Sequence, residues 1–333
     1  MMFDKTTLET MKLSRKLSLI PLCFAIFFAV VPTILIKFDI IDVYLAGVLT
    51  NASINAILAI SVNMITGITG QLSLGQAGFM AIGAYSCISL TLDLHIPMPA
   101  AACLAALIAA FAGFLIGFPT LKLSGDYLAI VTLGFGEIIR VILTNVRGIT
   151  GGANGRLFDT KLSDPSYAHL AFFVVGVCLI IVIALLQNFM RSSYGRAILA
   201  VREDEIAANS SGIGVFRYKM IGFVSAAFIA GLGGALYAMK VGFVKPDIAG
   251  FNKSIDYLIF VVLGGMGSIT GSVVASYVLT YLQEFLRFLK DYRLLIYPLI
   301  LIAVMLYRPG GLMGMKELSF VAICKRLKSR FTT

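Results

Sequence analysis

Three groups of residues in this sequence could do chemical or mechanical work. The first is the charged run Arg202-Glu203-Asp204-Glu205, continued by Ile206, Ala207 and Ala208 and closed by Gly212. It lies in a polar island from Tyr194 to Lys219, between long apolar runs. The charges offer ionic contacts, and Ala197, Ile198, Ala200, Val201 and Ile206 offer an apolar seat. That combination reads either as a docking surface or as a solvated loop that only anchors its neighbours. The second group runs from Asn63 to Gly83, where glycines 67, 70, 75, 78 and 83 crowd around Thr66, Thr69, Gln71, Ser73 and Gln76. Exposed backbone at membrane depth is tolerated only against protein or a water-filled cavity. These residues therefore read as the lining of a solute passage, or as close packing of small residues plus a turn. The third is Glu137 with Arg140 three residues on, inside an apolar run. Residues at that spacing share a helix face and can pair. A charge at that depth is costly, so the alternatives are a proton relay and a structural ion pair.

The elements that must position these groups follow from composition. The chain has 333 residues, 59% hydrophobic and 13% charged, with mean hydropathy +0.94. Soluble domains carry roughly 25% charged residues. Continuous apolar runs exclude the alternating pattern of a β-barrel. The fold class is therefore all-α, a polytopic membrane protein. The spacing predicts spans at Leu17–Ile36, Tyr44–Thr66, Gln76–Leu92, Ala100–Phe118, Tyr127–Asn145 and Ala168–Phe189. After the island come Met220–Met239, Tyr257–Gly267, Ser268–Phe285 and Leu294–Tyr307.

A net charge of +10 would suit nucleic acid, but the excess sits in three blocks, Lys5–Lys16, Arg191–Lys219 and Arg308–Arg330. Such clustering is what the positive-inside rule produces, so the partner is lipid and not nucleic acid. Placing all three blocks in the cytoplasm requires an even number of crossings after the island. Splitting 257–285 at Gly264-Gly265-Met266-Gly267-Ser268 supplies it and gives about ten transmembrane helices. The expected organisation is a cytoplasmic segment 1–16, a transmembrane domain 17–307 with the segment 191–219 projecting from it, and a basic cytoplasmic tail 308–333. Leu17–Ile36 is too long for a typical signal-peptide core and reads as a retained first span.

The two Gly-interrupted stretches, 64–75 and 264–271, echo each other, and paired interruptions of this kind point to transporter binding regions. Thr150–Gly155 reads as a turn-rich loop on the external side. Cys23, Cys87, Cys103, Cys178 and Cys324 form no C-x-x-C pair and read as small buried hydrophobes. His95 and His169 are too far apart in sequence to favour a metal site.

Several of these blocks together resemble the permease subunits of branched-chain amino acid ABC importers, of the LivM type. The resemblance rests on Gly70–Gly78, Tyr127–Arg140, Thr150–Gly155, Arg202–Tyr218, Val262–Ser268 and Arg308–Leu312, in that order. Glu205, Ala207, Ala208 and Gly212 match the E-x-A-A-x-x-x-G pattern by which such permeases dock an ATPase. The resemblance makes Arg202, Glu203, Asp204 and Glu205 candidates for that contact. It implies two ABC ATPase subunits, a second permease of the LivH type and an extracytoplasmic solute-binding protein, in a bacterial inner membrane. The sequence holds no G-x-x-x-x-G-K-[ST] loop, so it cannot supply a Walker A site; the resemblance implies a transport subunit that binds no cofactor itself, with ATP used by its partners. The implied cargo is leucine, isoleucine and valine. A zwitterion in a low-dielectric passage needs polar partners, and Asn63, Gln71, Ser73, Gln76 and Ser268 are available. Alternatives are urea, amide or other amino-acid cargo within the same family, a proton-coupled secondary transporter using Glu137, and a structural subunit with no passage of its own.

Overall fold

A computed structural model of the chain describes residues 30–314, apart from 39, 124 and 309. The segment 1–16, most of the first expected span, Cys23, Cys324 and the tail from 315 lie outside the described residues. In lipid a spanning segment must satisfy its own backbone, so the apolar runs become helices. They are α1 Val43–Asn63, α2 Gln76–Leu92, α3 Met98–Thr120, α4 Asp126–Asn145 and α5 Ala168–Arg191. Two short helices follow, α6 Ser193–Glu203 and α7 Glu205–Ser210. The rest are α8 Val215–Val241, α9 Phe251–Gly264, α10 Ile269–Phe285 and α11 Arg293–Tyr307.

Most boundaries fall within two or three residues of those expected. Two do not. Helix α8 begins at Val215 instead of Met220, and α9 at Phe251 instead of Tyr257. Polar residues open both helices: Arg217 and Lys219 in α8, and Asn252, Lys253, Ser254 and Asp256 in α9. Lys253 and Asp256 are therefore helical. Among the described residues five helices are long and apolar enough to cross a bilayer core, α2 is shorter, and α9 and α10 meet at a bend of 118°.

Helix α8 occupies the centre, against α2, α3 and α1. Its small residues let backbones touch: a Cβ on Gly83 of α2 would lie 2.1 Å from the Gly231 carbonyl oxygen, and one on Gly234 of α8 would lie 1.9 Å from that of Met80. Without a hydrophobic drive inside lipid, close backbone approach and dispersion hold such helices together. Phe79 and Phe223 meet edge to face at 5.7 Å between ring centroids. Cys87 is buried in this core, but Cys103 is exposed on α3 and Cys178 is half-buried, so burial describes only one of these three thiols.

The bend between α9 and α10 turns the chain back on itself. Helix α10 returns beside α1, with Tyr277 2.6 Å from Ser53, Thr280 3.0 Å from Asn55 and Arg287 2.9 Å from the Tyr44 hydroxyl. The residues after α11 fold back onto the bend, where the Leu312 N–H donates to the Leu263 carbonyl at 2.7 Å. One end of the bundle thus gathers 63–76, the segment from Arg191 to Gly214, the bend at 264–268 and residues 308–314.

The opposite end is closed by a two-residue ladder, Arg156–Leu157 paired antiparallel with Phe243–Val244, which nothing in the hydropathy pattern announces. Gly151, Gly152 and Gly155 all take positive φ in the turn before it. Arg156 fastens that turn by donating to Asp93 with both terminal nitrogens, to the Ile149 carbonyl at 2.7 Å and to the Ser89 hydroxyl at 3.3 Å. The hydrogen bond from Arg156 holds the Asp93 carboxyl below the usual carboxylate range.

Candidate functional site

Both Gly-rich interruptions are real breaks in helices. Helix α1 loosens into a π-helical turn at Met64–Ile68, and the chain then runs irregularly to Gln76. The second break contains Gly265 at φ 110° and Gly267 at φ 90°, where only glycine sits without strain. Ser268 then caps α10 by accepting from the Gly271 N–H at 3.0 Å.

The fold presses the two breaks together. The Gly267 N–H donates to Asn63 Oδ1 at 2.8 Å. A Cβ on Gly67 would lie 2.0 Å from that oxygen and 2.3 Å from the Gly267 nitrogen. A cavity of about 370 Å³ opens at this junction, lined in part by Thr66, Arg202, Val262, Met266 and Gly310.

By composition the island reads as one helix from Gly195 to about Asn209, with Gly212 just past its end. It forms two, because Asp204 takes extended backbone at φ −156° and its side chain caps the second. Asp204 Oδ1 accepts from the N–H groups of Ile206 at 2.8 Å and Ala207 at 3.0 Å. A charged residue that sequence reasoning set aside for a partner is thus also an N-cap. Gly212 ends the pair at φ 79°.

The island residues do not all face outward. Glu203, Asp204, Glu205, Ile206, Ala207 and Gly212 are exposed, Ile206 at 81%. Ala208 is buried. Arg202 turns inward, its side chain 19% exposed, and Nη1 donates to the Gly67 carbonyl at 2.8 Å. Glu205 reaches Lys219 Nζ at 2.5 Å, and that lysine side chain is only 10% exposed at the base of α8. Sequence reasoning treated Lys219 as the end of the basic block. Its 14-residue separation from Glu205 gives no signal that the two would meet.

The residues expected along a passage lie inside the chain. Asn63, Ser73, Gln76 and Ser268 are at most 2% exposed, and Gln71 is 5% exposed. Asn63 and the stretch before Ser268 meet at the junction, whereas Gln71, Ser73 and Gln76 follow the connection into α2. Gln76 Oε1 accepts from the Ser61 hydroxyl at 2.9 Å. Among the described residues the Gln71 amide, the Ser73 hydroxyl, Asn63 Nδ2, Gln76 Nε2 and Thr66 Oγ1 make no hydrogen bond. Buried groups of this kind are normally paired, so polar groups without partners concentrate in the stretch that interrupts α1 and leads to α2.

Glu137 and Arg140 pair at 2.6 Å, with side chains 34% and 38% exposed. The other Glu137 oxygen accepts from the Phe251 N–H, the first of α9, at 3.2 Å. The carboxylate therefore neutralises an arginine and faces the positive end of a helix.

Residues 44–305 match the family described as branched-chain amino acid transport system, permease component. The high-affinity branched-chain amino acid transport system permease protein LivM of Salmonella typhimurium is 38% identical over 293 residues, covering 80% of this chain and 69% of that protein. LivM of Escherichia coli matches at the same identity and coverage. The permease protein LivH of the same transport system in Salmonella typhimurium is 26% identical over 82% of this chain and 95% of its own length. No solved structure matches the chain.

Proposed function

This chain belongs to the branched-chain amino acid transport permease family, and from that premise we propose how it works. It is a permease subunit of an ABC importer, a transport protein that spans the inner membrane several times. It moves leucine, isoleucine and valine inward together with a second permease of the LivH type. Two ATPase subunits on separate chains dock on the island 191–219, and a solute-binding protein delivers cargo at the opposite end.

The observation that carries this is the geometry of the island. It projects an exposed apolar tip, Ile206, ringed by Glu203, Asp204 and Ala207. Its base is pinned to α8 by Glu205 and Lys219. A push on the tip is thereby delivered to the helix at the centre of the bundle. The island and the residues after α11 share one end of the bundle, as a cytoplasmic island and a cytoplasmic carboxy-terminal tail require. Asn63, Gln71, Ser73, Gln76 and Ser268 are proposed to meet the solute only when the breaks open, which supplies polar partners at that moment.

A proton-coupled mechanism through Glu137 has less support, because its carboxylate is shared between Arg140 and the start of α9. A different small cargo would leave the architecture intact, since the binding protein selects what is delivered.

The test is uptake of radiolabelled leucine into proteoliposomes that hold the complete importer, with ATP on the ATPase side. Wild type should accumulate leucine in an ATP-dependent manner, and Glu205→Arg should lose both uptake and co-purification of the ATPases. Undiminished uptake in that variant would remove the island as the docking surface. Wild-type uptake of a different solute would overturn the cargo.

A further inference from the structure

One side chain of the island, Arg202, donates a hydrogen bond into the interrupted helices. Arg202 is the penultimate residue of α6, three residues before the first residue of α7. Its guanidinium leaves the charged face of the island and donates to the carbonyl of Gly67, inside the π-helical turn. A π-turn breaks the regular i→i−4 ladder of the helix it interrupts, so its carbonyls are natural acceptors for an incoming donor. The Arg202 stem lies on Gly70, where a Cβ would stand 2.8 Å from its Cγ and φ is +71°. On the other side, Nη1 lies 3.3 Å from the Cβ position of Gly267, in the bend between α9 and α10. The bend and the π-turn are themselves joined by the bond from the Gly267 N–H to Asn63. The three glycines leave room for the arginine, and a side chain at any of them would meet its stem, its head or the opposing backbone.

We propose that Arg202 is the positioning residue that couples the two helix breaks to the island: when the island moves, the guanidinium carries the π-turn and the bend with it as one body. The proposal rests on the reading of 191–219 as the docking surface of the ATPases and assigns a different role to one of its members. Glu203, Asp204 and Glu205 stay at the surface; Arg202 faces inward and makes no part of the docking contact. Arginine suits the task because its planar guanidinium holds several donors in fixed directions on a long stem, whereas a lysine presents one ammonium. The Glu203 carboxylate, 3.5 Å from Nη2, is mostly exposed and leaves Nη1 free to bind the turn.

The experiment compares wild type, Arg202→Lys and Arg202→Met in the complete importer in proteoliposomes. Leucine uptake and ATP hydrolysis are measured on the same preparation, and the result is expressed as leucine moved per ATP for each assembled complex. The proposal expects the ratio to fall at least fivefold in Arg202→Met and to take an intermediate value in Arg202→Lys, with the ATPases still co-purifying. Loss of assembled complex in both variants, or a wild-type ratio in whichever variant assembles, would reduce Arg202 to a structural contact and overturn the proposal. ATPases that fail to co-purify even with wild type would instead defeat the docking reading on which it rests, and the proposal with it.

Discussion

Two arginines fasten opposite ends of this bundle, and they do it differently. Arg156 takes hold of a carboxylate with both terminal nitrogens and adds a carbonyl and a hydroxyl, so its turn is clamped in one geometry. Arg202 makes one short bond, to a carbonyl in an irregular turn, and a looser approach to an exposed glutamate. The Arg156 end has its backbone tied into a ladder with 243–244. The Arg202 end has three positive-φ glycines in its two breaks and a cluster of buried polar groups with no partner among the described residues. The first arrangement suits a fixed rim. The second suits a joint, because few bonds need to break for it to take another shape.

The contrast can be broken most severely at Gly67. Gly67→Ala puts a methyl group into space held by Asn63 and the Gly267 backbone, so the breaks must separate. Overpacking of this kind costs about 1–3 kcal/mol of stability, and transport per assembled complex should fall at least about fivefold, the equivalent of about 1 kcal/mol on the barrier. Uptake assays alongside a thermal melt check both numbers. Glu205→Gln should come next: it leaves the Lys219 ammonium largely buried without its counter-charge, at a cost of about 1–3 kcal/mol. A lower melting temperature that Lys219→Met partly restores in the double variant would identify the pair as the cause.

At the clamped end the expected effects are smaller and of another kind. Arg156→Met should lower stability by about 1–2 kcal/mol through lost charge-assisted bonds, yet leave leucine moved per ATP unchanged. A fall in that ratio would erase the distinction between rim and joint. The smallest effect concerns pH. The Asp93 carboxyl is held below its ordinary value of 3.8 by Arg156, so its contribution is complete above that value and fades as pH falls through the depressed one. Melting curves recorded down an acid series should therefore converge for wild type and Asp93→Asn.

Much of this architecture was legible because lipid leaves few choices. Apolar run length located the helices to within a few residues, and the charge balance required a division at Gly264–Ser268, where the chain does turn back. The starts of α8 and α9 were misplaced because hydropathy marks where lipid begins, not where hydrogen bonding begins, and Lys219, Lys253 and Asp256 are polar yet helical. The division of the island at Asp204 was missed because a charge run reads as one helix until one carboxylate is recognised as a cap. The polar residues of 63–76 stood out by type. Their burial did not, since exposure depends on how α1, α2 and α8 pack and not on spacing. The roles of Arg202 and Lys219 depend on contacts 135 and 14 residues away, which no local pattern encodes.

The most direct test places a photoreactive side chain at one of two exposed positions, 206 at the tip of the island or 157 at the clamped rim, in the complete importer. The account predicts that position 206 captures an ATPase subunit and position 157 captures the solute-binding protein. Capture of the ATPase at 157, or none at 206 in a complex that still co-purifies with its ATPases, would contradict it.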